Sequence, residues 1–271
     1  MTTAGLMLDE RVAVTFDGPV AEVRLERPAK HNALDERMLA AISAAADHLA
    51  GRADVRAVVL SGAGPSFCAG LDLRSFAPQI AAGAFSNLED RTTRDVNLFQ
   101  HVSMAWRDLE SPVIAALQGS VFGGGLQIAL GADIRICAPD ARLSIMETRW
   151  GLVPDMGGMV LLRDLVRGDV LRDLVYSARI VSGSEAQGLG LVTRLHDDPR
   201  AEALKAAHAI AAQSPRAVRA AKQLLNAMGD EDRAGLLMRE SSLQLPLVGG
   251  PDMIEAMTAQ MQGRPPVFSD L

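Results

Sequence analysis

Residues Gln118–Asp155 read QGSVFGGGLQIALGADIRICAPDARLSIMETRWGLVPD, and they follow directly on the apolar, β-prone run Val113–Leu117. Three glycines stand together at 123–125, and the next residues, Leu126–Leu130, are typical of a buried helix. A strand that enters a glycine-rich turn at a helix start leaves backbone N–H groups free to point at a ligand. Because glycine has no Cβ atom, that ligand can come close. The same turn is also compatible with a helix that only packs tightly on a sheet.

Two carboxylates, Glu147 and Asp155, lie in the later part of this stretch. The residues around them are mostly apolar: Ile145, Met146, Trp150, Leu152 and Val153. A desolvated carboxyl has a raised pKa and suits proton transfer near neutrality. The competing interpretations are a solvated surface charge at Glu147 and a helix N-cap at Asp155. Backbone donors for an oxyanion, with acids nearby to move protons, favour enolate chemistry.

A second loop of small residues, Ser66–Asp72, follows the predicted buried strand Val55–Leu60. Two such loops can supply one N–H each, and we assign these donors to Ala69 and Gly124. Cys68 lies in this loop, but no histidine is near it in sequence, and a buried cysteine usually behaves as a small hydrophobe. We therefore do not assign it as a nucleophile.

Composition excludes several classes of protein. The 271 residues are 48% apolar and 22% charged, with a net charge of −6, which disfavours nucleic-acid binding. No apolar run approaches the roughly 20 residues of a membrane span, and the N-terminus lacks the pattern of a signal peptide. The two cysteines and five histidines show no metal-ligand spacing. We expect a cytoplasmic protein without metal or cofactor, and without nucleic-acid or membrane partners.

The predicted elements are mixed α/β up to residue 198 and helical beyond it. Val12–Phe16 and Val20–Leu25 predict a hairpin. The other predicted elements are a helix at Asp35–Leu49, a helix at Thr92–Leu109, short strands at Ile134–Cys137, Ala141–Ile145 and Val192–Leu195, and a capping box at Ser184–Gln187. We therefore divide the chain into an α/β unit, residues 1–198, and a helical unit, residues 199–271.

Several short motifs, in order and at characteristic spacing, resemble the enoyl-CoA hydratase/isomerase, or crotonase, superfamily along nearly the whole chain. They are Arg27–Leu34 (RPAKHNAL), Phe67–Leu73 (FCAGLDL), Gly123–Gln127 (GGGLQ), Gly131–Arg135 (GADIR), Gly151–Pro154 (GLVP), Ser214–Val218 (SPRAV) and Arg264–Phe268 (RPPVF). The resemblance implies a spiral of β-β-α units with a C-terminal helical region that forms trimers, often paired into hexamers. An apolar stripe in that region, which includes Ala217, Ala220, Ala221, Leu224 and Leu225, agrees with such an assembly.

The resemblance also implies an acyl-CoA thioester as substrate, with its carbonyl held by the N–H groups of Ala69 and Gly124. The CoA arm is expected against the segment that holds Cys68, Asp72 and Leu73. Lys30 is the expected contact to the CoA phosphates, and His31 is the second candidate for this contact. Residues 70–90 are expected to shape the acyl pocket.

One position departs from the family pattern. Typical hydratases carry a glutamate three residues after the middle glycine of the second loop, where this chain has Gln127. An amide cannot take up a proton at neutral pH, so Gln127 can position water or substrate but cannot be the general base. Glu147 matches the second glutamate, and the spacing from Glu147 to Asp155 resembles the acid pair of the dienoyl-CoA isomerases.

The leading hypothesis is therefore double-bond isomerisation of an enoyl- or dienoyl-CoA, with Glu147 and Asp155 as acid and base. The alternatives are hydration of an enoyl-CoA by Glu147 alone, with Gln127 orienting water, and a CoA-thioester-binding protein without catalysis.

Overall fold

The computed structural model describes residues 3–81 and 88–270. Its strands are β1 (Thr3–Leu8), β2 (Val12–Asp17), β3 (Val20–Leu25), β4 (Ala57–Gly62), β5 (Val113–Leu117), β6 (Ser120–Phe122), β7 (Ile134–Cys137), β8 (Arg142–Ser144), β9 (Val181–Ser182) and β10 (Arg194–Leu195). Its helices are α1 (Glu36–Leu49), α2 (Leu73–Ala81), α3 (Leu98–Asp108), α4 (Gly124–Leu130), α5 (Gly158–Leu162), α6 (Gly168–Ser177), α7 (Gly183–Gly188), α8 (Pro199–Ala211), α9 (Pro215–Ala227), α10 (Arg233–Gln244) and α11 (Pro251–Gln262). Within residues 70–90, positions 82–87 lie outside the described residues, so the acyl-pocket expectation there stays a prediction.

A seven-stranded sheet in the order β1-β2-β3-β4-β5-β7-β10 forms the centre of the fold. The pairs β1-β2 and β2-β3 are antiparallel. The other neighbouring pairs of this sheet, β3-β4, β4-β5, β5-β7 and β7-β10, are parallel. Parallel strands are covered on both faces, which explains the uninterrupted apolar run of β5, all of it buried. Val58 and Leu60 face one core, while Ala57 and Val59 face a second core against α8.

Most predicted elements are confirmed, with shifted ends. α1 begins after Asp35, whose side chain accepts a hydrogen bond from the Met38 N–H at 2.8 Å. The helix predicted from Thr92 begins only at Leu98, because Asn97 caps it. The cap of α7 was predicted at Ser184, and this was wrong: Ser182 accepts the hydrogen bond from the Glu185 N–H.

A second sheet, in the order β6-β8-β9, positions the glycine turn. The two short strands predicted at Ile134–Cys137 and Ala141–Ile145 are β7 and β8, and they belong to different sheets. β6 pairs parallel with β8, and an isolated bridge joins Cys68 to Val121. The loop before α2 therefore lies beside the turn that opens α4.

The C-terminal region is helical, as predicted. α8 packs on β4, β5 and β7 through Ala203, Ala207 and Ala211. The buried face of α9 carries Arg219 and Lys222, while Leu225 of the predicted apolar stripe is 64% exposed. The division at residue 198 stays a prediction. No helix among residues 3–81 and 88–270 has the length and apolar character needed to cross a bilayer.

Candidate active site

The glycine turn presents an unused backbone donor. Gly123 has φ 50° and ψ −122°, a conformation that glycine tolerates, and its N–H donates to the Ser144 carbonyl at 2.9 Å. In the described part of the chain, no acceptor is hydrogen-bonded to the N–H of Gly124, the first residue of α4. A Cβ atom on Gly124 would lie 2.5 Å from the Met156 sulfur. The turn therefore needs glycine both for its dihedral angles and for its packing.

The two small-residue loops lie directly against each other. The Phe122 N–H donates to the Cys68 carbonyl at 3.0 Å. A Cβ atom on Gly70 would lie 3.8 Å from the Gly124 nitrogen, and one on Gly125 would lie 2.5 Å from the Cys68 carbonyl oxygen. Both loops thus end at one place, as the sequence predicted.

The second predicted donor is engaged within the protein. The Ala69 N–H donates to the His31 carbonyl at 2.9 Å. His31 and Asn32 both have positive φ, at 50° and 53°. The Ala69 N–H becomes available to a substrate oxygen only when this hydrogen bond is shared or released. The sequence offered no indication of the hydrogen bond between Ala69 and His31. The two residues are 38 positions apart, and only their main-chain atoms form the bond.

Cys68 belongs to the core. Its side chain has no exposed surface, its thiol donates to the Asn32 carbonyl at 3.1 Å, and burial raises its pKa to about 12. Any contact from Cys68 to a substrate is therefore made by its main chain. A neutral thiol in this environment is a poor nucleophile.

Asp72 and Leu73 lie where the loop enters α2. Asp72 pairs with Arg27 at 2.9 Å and accepts from the Ser75 N–H at 3.3 Å. Burial alone would raise the pKa of the Asp72 carboxyl, but these hydrogen bonds outweigh it, so the pKa is lowered. Leu73 is the first residue of α2 and is half-buried. Asp72 thus holds the loop in place through Arg27.

Lys30 and His31 lie at the surface beside this loop. Lys30 ends a 3₁₀ turn, Pro28–Lys30, and is exposed. Within the described residues, no carboxylate pairs with its ammonium group. The Nδ1 atom of His31 lies 3.0 Å from the Ser66 hydroxyl oxygen. An exposed, unpaired cation is free to contact a phosphate.

Glu147 is a buried carboxyl with one unused oxygen. It opens the 3₁₀ turn Glu147–Trp150 and is 8% exposed. Its Oε1 atom accepts from Gln127 Nε2 at 2.6 Å, whereas Oε2 is buried without a partner. A Cβ atom on Gly123 would lie 3.4 Å from Oε1, so the carboxyl lies beside the glycine turn. Burial raises the pKa of Glu147, and the charge of Asp155 raises it further.

Asp155 shares this environment but lies nearer the surface. Its side chain is exposed, yet the protein around it still desolvates the carboxyl enough to raise its pKa. It does not cap α5, whose N-cap is Gly157 and which has no side-chain cap. Its charge contributes to the raised pKa of Glu147.

Gln127 connects the two acidic segments. Its Oε1 atom accepts from the N–H groups of Met156 and Gly158, both at 2.9 Å, while its amide nitrogen donates to Glu147. From the sequence we predicted Gln127 as a substrate contact, and these three hydrogen bonds were not foreseen. Met156, which packs on Gly124, was also missed, although it directly follows Asp155 in an apolar segment. In the described part of the chain, no cluster of three or more His, Cys, Asp or Glu side chains could hold a metal ion.

A family model, Enoyl-CoA hydratase/isomerase, matches residues 15–270. The chain belongs to this family. It is 30% identical over 279 residues to the peroxisomal Delta(3,5)-Delta(2,4)-dienoyl-CoA isomerase of Arabidopsis thaliana, with 100% of both chains covered. It is 29% identical over 280 residues to a carnitinyl-CoA dehydratase of Salmonella typhi, which covers 96% of this chain and 99% of that protein.

Solved structures agree with the family assignment. A crystal structure of an enoyl-CoA hydratase from Bacillus anthracis superposes with a TM-score of 0.86 at 28% identity, over 95% of this chain and 98% of that one. The crotonase fold expected from the sequence is thereby confirmed, and the chain is an acyl-CoA enzyme of this family. The names of its relatives span isomerases, dehydratases and hydratases, so family membership leaves the reaction open.

Proposed function

We propose that this enzyme isomerises the double bond of an enoyl- or dienoyl-CoA, with Glu147 as the principal proton carrier and Asp155 as the second acid. The observation that carries the proposal is the buried Glu147 carboxyl, which lies beside the glycine turn and whose Oε2 atom has no partner. The position where a hydratase would carry a second glutamate holds Gln127, whose amide cannot accept a proton. The likeness to a dienoyl-CoA isomerase over the whole chain supports the same class.

The reaction begins with removal of a proton from the carbon next to the thioester carbonyl. Ionised Glu147 takes this proton, and the electron pair moves onto the thioester oxygen, which accepts a hydrogen bond from the Gly124 N–H. The Ala69 N–H becomes the second donor when the His31 carbonyl releases it. The electron pair then returns, the double bond moves toward the carbonyl, and a protonated carboxyl delivers a proton to the far carbon. No atom is gained or lost overall.

Two neighbouring carboxyls can serve as base and acid at one pH only if their pKa values differ. Burial and the charge of Asp155 raise the pKa of Glu147, whereas the hydrogen bond from Gln127 favours its ionised form. One ionised and one protonated carboxyl near neutrality is the state that this proposal needs.

The test is the isomerase activity of Glu147→Gln and Asp155→Asn. Each should lower kcat by roughly 10², the lower end for a lost general acid or base. Glu147→Gln can keep the hydrogen bond from Gln127, so the site should remain intact. If Asp155→Asn keeps full turnover while Glu147→Gln abolishes water addition to an enoyl-CoA, the enzyme is a hydratase with a single glutamate, and the proposal fails.

For CoA recognition we propose that Lys30 contacts the phosphates. Its exposure and its lack of an ion pair support this role. Lys30→Ala should raise KM about fivefold and leave kcat unchanged, since an exposed charge contact contributes equally in the ground and transition states. Lys205, on α8 and paired with Glu202, offers a matched control, and Lys205→Ala should leave KM unaltered.

The assembly is also a proposal: a homotrimer or a pair of trimers. Large apolar side chains of the C-terminal helices are exposed in the single chain, including Leu245 at 77%, Met238 at 68% and Met261 at 79%. An apolar surface of this kind is typical of a protein interface. Light scattering should report three or six chains, and a monomer at micromolar concentration would contradict the proposal.

A further inference from the structure

The amide of Gln127 joins three parts of the active site. Its oxygen accepts from the N–H groups of Met156 and Gly158, and its nitrogen donates to Glu147 at 2.6 Å. Gln127 is 2% exposed, so these bonds do not compete with bulk water. One side chain thus holds α4, the carboxyl of Glu147 and the segment next to Asp155.

The orientation of this amide is forced by its surroundings. Two backbone N–H groups converge on one end, and only an oxygen can accept both. If the amide were flipped, its NH₂ group would face the N–H groups of Met156 and Gly158, and donors would face donors. The NH₂ group must therefore face Glu147, and Oε1 of Glu147 must act as an acceptor. Any proton on Glu147 consequently resides on Oε2, the oxygen that has no partner.

A glycine makes room for this arrangement. A Cβ atom on Gly158 would lie 2.7 Å from the Gln127 Oε1 atom and 3.0 Å from its Cγ and Cδ atoms. The backbone of Gly158 does not have positive φ, so its conformation does not require glycine. What requires glycine at this position is the amide packed against it.

We propose that Gln127 is a positioning residue of the acid–base site, which holds Glu147 so that Oε2 alone exchanges protons with the substrate. The proposal rests on the proposed function, because it assumes that Glu147 carries the proton. Gln127 also positions Asp155, because its amide oxygen holds the backbone N–H of the next residue, Met156. Gln127 acts through Glu147 and need not touch the substrate.

The sharpest variant is Gln127→Glu, which is nearly isosteric. One carboxyl oxygen can still accept from Met156 and Gly158, so folding should be preserved, but the donor to Glu147 is lost. The bond from Gln127 favours the ionised form of Glu147, and a second carboxyl disfavours it, so the Glu147 pKa rises further in this variant. The acid limb of the pH profile of kcat/KM should move to higher pH. Near neutrality kcat should fall about tenfold with little change in KM.

A second variant leaves every titratable group in place. Gly158→Ala should displace the amide, disturb its hydrogen bond to Glu147 and reproduce the shift of the acid limb. The matched control is Gln100→Met on α3, because Gln100 also accepts a backbone N–H, that of Asn97 at 3.0 Å, but does not contact Glu147. This control should lower the melting temperature without moving the pH profile.

The outcomes separate this inference from the proposed function. If Glu147→Gln abolishes isomerisation while Gln127→Glu and Gly158→Ala both keep the wild-type acid limb, the positioning role is overturned and the proposed function stands. If Glu147→Gln keeps full activity, the proposed function fails. The inference is then decided by ¹³C NMR titration of Glu147 in the substrate-free protein. An upward shift of its midpoint in Gln127→Glu supports positioning, and an unchanged midpoint overturns it.

Discussion

Glu147 and Lys222 are both buried ionisable residues, but their hydrogen-bond partners differ. The Lys222 ammonium donates to the Trp106 carbonyl at 3.0 Å and the Ser111 carbonyl at 3.1 Å, and it pairs with Asp133 at 2.9 Å. All three of its donors are therefore used. Glu147 has one oxygen bonded to Gln127 and one without a partner.

The difference separates a structural charge from a reactive one. Burial lowers the pKa of Lys222, and Asp133 opposes this shift by favouring the charged form. Burial raises the pKa of Glu147, and the neighbouring charge of Asp155 acts in the same direction. A buried ionisable group whose hydrogen-bonding atoms all have partners can stabilise the fold. A buried group with an unpartnered polar atom lowers the stability of the fold, and a role in catalysis explains why such a group is present.

The largest expected effect tests the N–H of Gly124 as an oxyanion donor. Gly124→Pro removes the N–H, and losing one oxyanion donor costs roughly 10²–10³ in kcat. Because any Cβ atom at this position would contact Met156, proline alone does not isolate the donor. Gly124→Ala is the matched control, since it adds the same Cβ atom but keeps the N–H.

The comparison of these two variants decides the role of Gly124. We expect the proline variant to be far slower than the alanine variant at equal folding by circular dichroism. Equal turnover in the two variants would remove Gly124 from the oxyanion site.

The next effect concerns the contribution of Lys222 to the stability of the fold. Lys222→Met leaves the Trp106 and Ser111 carbonyls without a donor and Asp133 without its cation. Breaking a buried pair on one side should lower the free energy of unfolding by about 3 kcal/mol. Turnover per folded molecule should be unchanged. Urea denaturation at fixed protein concentration measures the loss.

Lys205→Met is the matched control, because Lys205 is an exposed lysine whose ion pair with Glu202 spans 3.5 Å. Its effect should stay within about 0.5 kcal/mol. A loss for Lys222→Met as small as that would show that the buried contacts of α9 do not stabilise the fold.

The smallest expected effect is the dependence of stability on pH at Glu147. Because the folded pKa of Glu147 is raised, the unfolded chain ionises first, and stability is lost as the pH rises from the ordinary value of 4.5 to the folded pKa. Glu147→Gln should therefore raise the melting temperature at neutral pH, and the gain should vanish below the ordinary value of 4.5. Thermal scans from pH 4 to pH 8 measure it.

Glu255 supplies a control of opposite sign. Hydrogen bonds from Arg264 and from the Val267 N–H lower its pKa to about 2. Glu255→Gln should therefore lower the melting temperature at neutral pH, and the loss should shrink as the pH falls toward 2. If both variants shift stability in the same direction, the assignment of the two environments is wrong.

The sequence predicted those parts of the molecule that depend on short stretches of sequence, such as the spacing of apolar residues and the positions of turn residues. The glycine turn, the hairpin, α1 and the all-helical C-terminus follow from spacing and turn residues. The neighbourhood of Glu147 is apolar in sequence, and the residue is buried in the structure.

What the sequence could not predict depends on contacts between distant residues. The bonds of Gln127 span 20 to 31 positions, and the bond that occupies the Ala69 N–H uses only main-chain atoms. The buried face of α9 was not predicted, because Arg219 and Lys222 are of residue types that normally lie at the surface. The carbonyl oxygens that accept from them belong to segments far away in the chain.

Proton transfer by Glu147 without addition of water is tested most directly in D₂O. The wild type and Glu147→Gln are incubated with a panel of 3-enoyl-, 3,5-dienoyl- and 2-enoyl-CoA esters, and the products are analysed by mass spectrometry. We expect deuterium at the carbons that lose or gain a proton, no product with added water, and loss of exchange in Glu147→Gln. A hydrated product that forms as fast as any deuterium exchange, or exchange that persists in Glu147→Gln, would contradict this mechanism.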